Sequence, residues 1–175
     1  MLQRILLFVI VPLGLLTLLG YYWLGGFNSM TIEVVQQPAR PVVGKHYQGR
    51  YGDLALSKIF VQARQLQEGG TLPGLLTVVN LDRTSASEQS VNQFIGITLA
   101  APPETVPEGY QVDTLPAGAY LRGILPANSL VMPPPKAVNQ QLLDYAREHQ
   151  LSVSGLSIEF YQASDTLWIE MAVQP

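Results

Sequence analysis

The chain reads as an α+β protein in which a strand-strand-helix-strand-strand unit occurs twice. The two units form a pseudo-twofold antiparallel sheet with two helices on one face, preceded by one transmembrane helix. Three observations predict this: an uncharged apolar stretch at residues 5–24, two amphipathic helical periods with start and stop signals, and a recurrence of sequence at a spacing near 78 residues. With 175 residues, 47% of them apolar, there is room for one compact domain and one membrane segment, but not for two full-sized domains. The 10 basic and 13 acidic residues give a net charge of -3 with no Lys/Arg run, which argues against nucleic-acid binding. Cysteine is absent, which removes disulfides, thiolate metal sites and cysteine nucleophiles.

Taken in order, residues 5–24 carry no charge over 20 positions, and at about 1.5 Å of rise per residue they match a hydrocarbon core of roughly 30 Å. Pro12, Gly14 and Gly20 are tolerated in lipid, and Tyr21, Tyr22 and Trp23 suit the headgroup level. A cleaved signal peptide fits less well, because the apolar run exceeds the usual ~7 to 15 residues and no clean small-x-small site follows. The expected division is an anchor at 1–27 and a domain at 28–175. Arg4 is the only charged side chain before the span and Arg40 the first basic one after it, so the amino terminus is expected in the cytoplasm and the domain outside, in a periplasm if the source is bacterial.

In the domain, residues 31–36 and 42–48 read as strands. Asp53 can cap a helix whose apolar positions Leu56, Ile59, Phe60, Ala63 and Leu66 keep the 3.6-residue period until Gly69 and Gly70. Strands are expected at 75–79 and 94–99, separated by a loop rich in Ser, Asp and Asn. The second half repeats the order: strands at 110–115 and 119–125, a helix entered through Pro133, Pro134 and Pro135 and running to about His149, then a hairpin of 156–161 and 167–173. Its helix buries Val138, Leu142, Leu143, Tyr145 and Ala146. The recurrence places Pro38-Ala39-Arg40-Pro41 over Pro116-Ala117-Gly118-Ala119, and leaves the sheet face opposite the helices open for binding.

The last hairpin carries the candidate chemistry. Period-2 alternation puts Glu159 and Tyr161 on one face of their strand, and Trp168 and Glu170 on one face of the next. A four-residue loop at 163–166 would set Glu159 opposite Glu170 and Tyr161 opposite Trp168. Two facing carboxylates repel each other unless a cation or proton relieves them, and two aromatics beside them offer π-faces to a cationic or flat ligand. The bland alternative is a solvated sheet face, on which glutamate is ordinary; the large aromatic area there argues against it. The first unit has Val78 and Gly96 at the matching places. His46 and His149 have no ligand-spaced partner, so no metal site is expected. Gly69-Gly70 with Gly74 lacks the lysine of a phosphate loop and reads as a turn, and no nucleophile-elbow pattern is present.

Residues 31–174 resemble a GyrI-like domain, the effector-binding module of AraC-type and MerR-type multidrug regulators. The resemblance is carried by Val42-Val43-Gly44, Gly49-Arg50-Tyr51, Leu115-Pro116-Ala117-Gly118-Ala119-Tyr120, Ile158-Glu159-Phe160-Tyr161 and Ile169-Glu170-Met171-Ala172-Val173. It implies a cleft between pseudo-symmetric halves for hydrophobic, often cationic, small molecules. Glu159 matches the glutamate that meets the ligand's charge, Glu170 a second acidic position, and Tyr51 and Trp168 the aromatic walls. Arg50 stands where the family usually has proline, the second unit lacks its own Gly-Pro-Tyr, and no DNA-binding helix-turn-helix is present.

The function expected is membrane-anchored, non-enzymatic binding of a small hydrophobic cation, with Glu159, Glu170, Tyr161, Trp168 and Tyr51 as ligand contacts. No cofactor and no nucleic-acid partner is expected, and no protein partner is specified. The rival readings are a hydrolase in which Glu159 and Glu170 share a proton, and a protein-interaction module with a degenerate cleft.

Overall fold

The computed structural model describes residues 2–81, 90–126, 128, 130–162 and 166–174, with side chains from residue 10 onward except that of residue 135. A first helix, α1 (Leu2–Trp23), precedes two units. The first contains β1 (Thr31–Gln37), β2 (Arg40–Arg50), α2 (Leu54–Glu68), β3 (Leu75–Asn80) and β4 (Ser90–Thr98). The second contains β5 (Gln111–Leu115), β6 (Gly118–Pro126), α3 (Pro135–Glu148), β7 (Val153–Gln162) and β8 (Thr166–Val173). The duplicated order expected from the sequence is the observed one, on an antiparallel sheet of eight strands.

Strand order is β1-β6-β8-β7-β3-β4-β2-β5, so the first strand of each unit is exchanged into the other half. The halves meet where β3 pairs with β7, and Val78 lies directly opposite Glu159. β1 and β2 stand near opposite ends of this sheet, yet only Pro38 and Ala39 separate them. Three residue steps reach at most about 11 Å. The sheet must therefore curl until its ends nearly meet, and the Pro116-Ala117 connection between β5 and β6 closes it in the same way.

Curling gives the sheet an inner and an outer face, and the helices pack on the outer one. Under α3, Leu121, Leu125, Leu167, Ile169 and Met171 bury Val138, Leu142 and Ala146. Under α2, Val43, Leu76, Ile95 and Ile97 bury Ala63. Each Val, Leu, Ile or Met among them contributes about 1.5 to 3 kcal/mol of transfer free energy when fully buried. The inner face is not open, contrary to expectation: Val42, Val79, Phe94, Tyr120, Ile158 and Phe160 fill it as a third core. Gly44 and Gly96 face each other there across β2 and β4, where a Cβ on Gly96 would run into the carbonyl oxygen of Val43.

The cap signals act as expected on α2. The Asp53 carboxylate accepts from Ala55 N at 3.1 Å, and the helix ends at Gly69, followed by Gly70 at φ +72°. The last hairpin departs from expectation by one residue. Gln162 pairs with Thr166, so Glu159 faces Ile169, Glu170 faces Ile158, and Trp168 faces Phe160. The expected Glu159–Glu170 and Tyr161–Trp168 pairs are absent because one residue fewer connects the paired positions than a four-residue loop requires. A slip of one sends a strand's side chains to the opposite face.

Helix α1 ends beside the domain rather than on a free tether. The Leu24 carbonyl accepts from Asn128 N at 2.9 Å, and Asn28 Nδ2 donates to the Pro126 carbonyl at 2.6 Å. Among the described residues no helix is long and apolar enough to cross a membrane. The side chains at 5–9, which belong to the expected span, lie outside the described residues.

Candidate functional site

Between α2 and the outer face of the sheet lies a cavity of about 380 Å³, in the size range of sites for small organic molecules. The helix contributes Leu56, Phe60 and Val61, the turn before it contributes Tyr51, and the sheet floor contributes Val78, Ile95, Glu159 and Tyr161. Under α3, Met30 and Leu142 both pack onto Gly123. The cleft described here lies on the first half of a pseudo-symmetric fold.

Glu159 sits on the cleft floor at 6% exposure. Tyr161 donates its hydroxyl to Oε2 at 2.6 Å, and Asn80 Nδ2 donates to Oε1 at 2.9 Å. Among the described residues no Lys, Arg or His forms an ion pair with it. Burial holds its carboxyl above the usual carboxylate range, and the two donated hydrogen bonds reverse only part of that rise. Burial also raises the Tyr161 hydroxyl, helped by the adjacent Glu159 charge. Tyr161 packs edge-on against Phe60, with ring centroids 5.4 Å apart and planes at 88°. The guanidinium of Arg64 lies 5.4 Å from the Phe60 centroid. Tyr51, 70% exposed, stands at the rim.

Glu170 is elsewhere. It lies on the inner face, fully buried, where Arg40 Nη2 donates to Oε2 at 2.6 Å and Arg122 donates to Oε1 from Nε at 2.9 Å and Nη2 at 2.7 Å. Arg40 lies over the Tyr120 and Phe160 rings, and Arg122 lies over Trp168 at 5.2 Å. Of the five expected contact residues, the structure brings Glu159, Tyr161 and Tyr51 together and leaves Glu170 and Trp168 on the other side of the sheet. Glu159 and Glu170 cannot share a proton through it.

The site also includes residues that sequence reasoning does not assign to it: Phe60, Val78 and Gln93 line the cleft, and Asn80 donates to Glu159 from beside it. In the sequence Phe60 belongs to the buried stripe of its helix, and Val78 stands only as the internal counterpart of a glutamate. Asn80 and Gln93 border the polar loop, where nothing in the local pattern separates a cleft amide from a loop amide. The signal that finds them is the pairing register, which places Asn80 opposite Gln93 on β4 and Val78 opposite Glu159 on β7.

Solved structures share the fold of this chain. SAV2435, solved bound to tetraphenylphosphonium, is similar over 82% of this chain and 94% of its own, with a TM-score of 0.55 and 18% identity. The C-terminal domain of EcmrR is similar over 83% of this chain and 98% of its own, with a TM-score of 0.56 and 13% identity. A hydrolase from Listeria innocua is similar over 82% and 92%, with a TM-score of 0.53 and 10% identity. At these identities the likeness is one of fold. No protein-family model matches the sequence, and no curated protein does.

Proposed function

We propose that the chain binds small hydrophobic cations in the cleft beneath α2, with Glu159 as counter-charge and Phe60, Tyr161 and Tyr51 as aromatic walls. The observation that carries this reading is the state of Glu159: a buried carboxylate, reached from a cavity, with hydrogen-bond donors but no ion-pair partner among the described residues. A buried charge without a partner costs several kcal/mol, and a delocalised organic cation supplies the missing charge while its apolar surface matches the walls. That SAV2435 was solved with tetraphenylphosphonium makes this cation the natural probe. Equilibrium dialysis of the full-length chain in detergent, with protein-free micelles as the blank, should show saturable binding of tetraphenylphosphonium and much weaker binding of neutral triphenylphosphine oxide. Equal binding of the two would refute the reading.

The same reading includes a membrane anchor. The uncharged stretch from Ile5 to Leu24 supports it, as does the exposure of the described apolar side chains of α1, among them Leu13, Leu16 and Trp23. The expected result is release of the chain from membranes by detergent but not by carbonate. Digestion of the domain by protease added to intact spheroplasts would place it outside, as Arg4 implies, and protection would place it in the cytoplasm.

A further inference from the structure

The cleft carboxylate is held unequally at its two oxygens, and the inequality is set two residues away from the cavity's apolar walls. Gln93 Nε2 donates to Asn80 Oδ1 at 2.7 Å, which fixes the orientation of the Asn80 amide. Its Nδ2 is thereby turned to Glu159 Oε1 at 2.9 Å. An amide nitrogen donates and does not accept, so Oε1 can only be an acceptor in this arrangement. A proton on the carboxyl is left with Oε2, where Tyr161 Oη stands 2.6 Å away. A hydroxyl can donate or accept, so Tyr161 accommodates either state.

Two strands build this asymmetry. Asn80 and Gln93 are direct partners on β3 and β4, both on the outer face, and β7 brings Glu159 alongside. Among the described residues, the surrounding elements contribute few charges. Tyr51 from the turn before α2 and Arg64 on α2 both act on Tyr161, and β8 presents only Ile169 opposite Glu159.

We propose that Asn80, oriented by Gln93, is a positioning residue that makes the cleft a cation–proton exchanger: it stabilises the charged form of Glu159 and confines the competing proton to Oε2, so that a ligand cation enters as that proton leaves. This rests on the reading of the cleft as a cation site. In the exchange the O–H bond at Oε2 breaks, its proton passes to bulk water, and Tyr161 turns from accepting to donating. No oxidant, reductant or other reactant takes part.

The expected signature is a pH dependence that only the positioning role produces. Below the pH at which the empty cleft is half protonated, cation affinity falls about tenfold per unit of pH. Asn80→Leu removes a donor that favours the charged form, which raises that pH by about one unit, the equivalent of a tenfold change. At acidic pH the variant therefore binds tetraphenylphosphonium about tenfold more weakly than the parent, and at alkaline pH the two converge. Gln93→Leu, which frees the Asn80 amide to rotate, shifts the profile in the same direction by less.

The experiment is calorimetric titration of the full-length chain with tetraphenylphosphonium across pH, in buffers of differing ionisation enthalpy, for the parent, Asn80→Leu and Gln93→Leu. Proton release by the parent on binding, and recovery of both variants at high pH, support the proposal. A loss of affinity that is uniform in pH for both variants makes Asn80 a packing residue and overturns it. Cation binding by the parent without proton release at any pH overturns the exchange while leaving the cation site standing. Absence of tetraphenylphosphonium binding by the parent removes the site itself, and the proposal with it.

Discussion

Glu159 and Glu170 lie on neighbouring strands, and both are buried, yet they solve the problem of a buried carboxylate in opposite ways. Glu170 faces the closed inner side of the sheet, where Arg40 and Arg122 neutralise it and aromatic rings cover the arginines. Glu159 faces the outer side, where Tyr161 and Asn80 donate hydrogen bonds but no described cation forms an ion pair with it. The first arrangement finds its counter-charge within the protein, and its charges tie β2, β6 and β8 together across the curled sheet. The second is complete only when something else brings a positive charge. A buried carboxylate marks a ligand site when its counter-charge is missing, not merely because it is buried.

The comparison breaks most readily at Glu170. Glu170→Gln leaves two arginines without their shared carboxylate, and we expect a loss of about 3 to 5 kcal/mol in stability. A denaturant midpoint equal to the parent's would show that the inner-face network holds nothing. Glu159→Gln removes a buried charge that lacks a partner, so the same denaturation should show stability unchanged or raised. Tyr161→Phe sharpens the contrast: it deletes one donor to Glu159, and cation affinity near neutral pH should fall by about 0.5 to 1.5 kcal/mol. Unchanged affinity in that variant would remove Tyr161 from the charged contact.

The smallest expected effect is on pH. The Glu159 carboxyl is raised in the folded, empty protein, so between its unfolded and folded values the native state binds more protons than the unfolded one. Its contribution to stability is then fully present below the unfolded value and is lost as pH rises through the folded value. Melting temperature of the ligand-free chain should decline over that window, and the decline should flatten in Glu159→Gln. Saturation with a cation should flatten it as well, since the ligand compensates the charge that unfolding would otherwise relieve.

Much of the architecture was legible because it is written in short-range patterns. The helical stripe from Leu56 to Leu66, the Asp53 cap and the Gly69-Gly70 stop place α2, and the Pro38 and Pro116 matches reveal the duplication. What the patterns do not encode is which strand pairs with which. The exchange of β1 and β5 between halves depends on closing the whole sheet, and it is this closure that fills the face expected to be open. The hairpin at Glu159 shows how thin the margin is. Period-2 alternation puts Glu159 and Tyr161 on one face, as the structure has them, but that face lies under α2 and not on the side opposite the helices. Alternation, a four-residue loop and the family resemblance all group Trp168 and Glu170 with them, whereas the structure puts these two with Arg122 and Arg40.

Titration of Glu159→Gln and Glu170→Gln with tetraphenylphosphonium, each beside the parent and under conditions in which all three are folded, tests the division between the two glutamates directly. The amide at 159 keeps the shape of the cleft and removes its charge, so cation affinity should fall by about 1.5 to 3 kcal/mol, the range for a hydrogen bond to a charged group, while triphenylphosphine oxide binds as before. The amide at 170 should leave cation affinity unchanged. Equal cation binding by the parent and Glu159→Gln, or a larger loss in Glu170→Gln, would contradict the assignment of the cleft charge to Glu159.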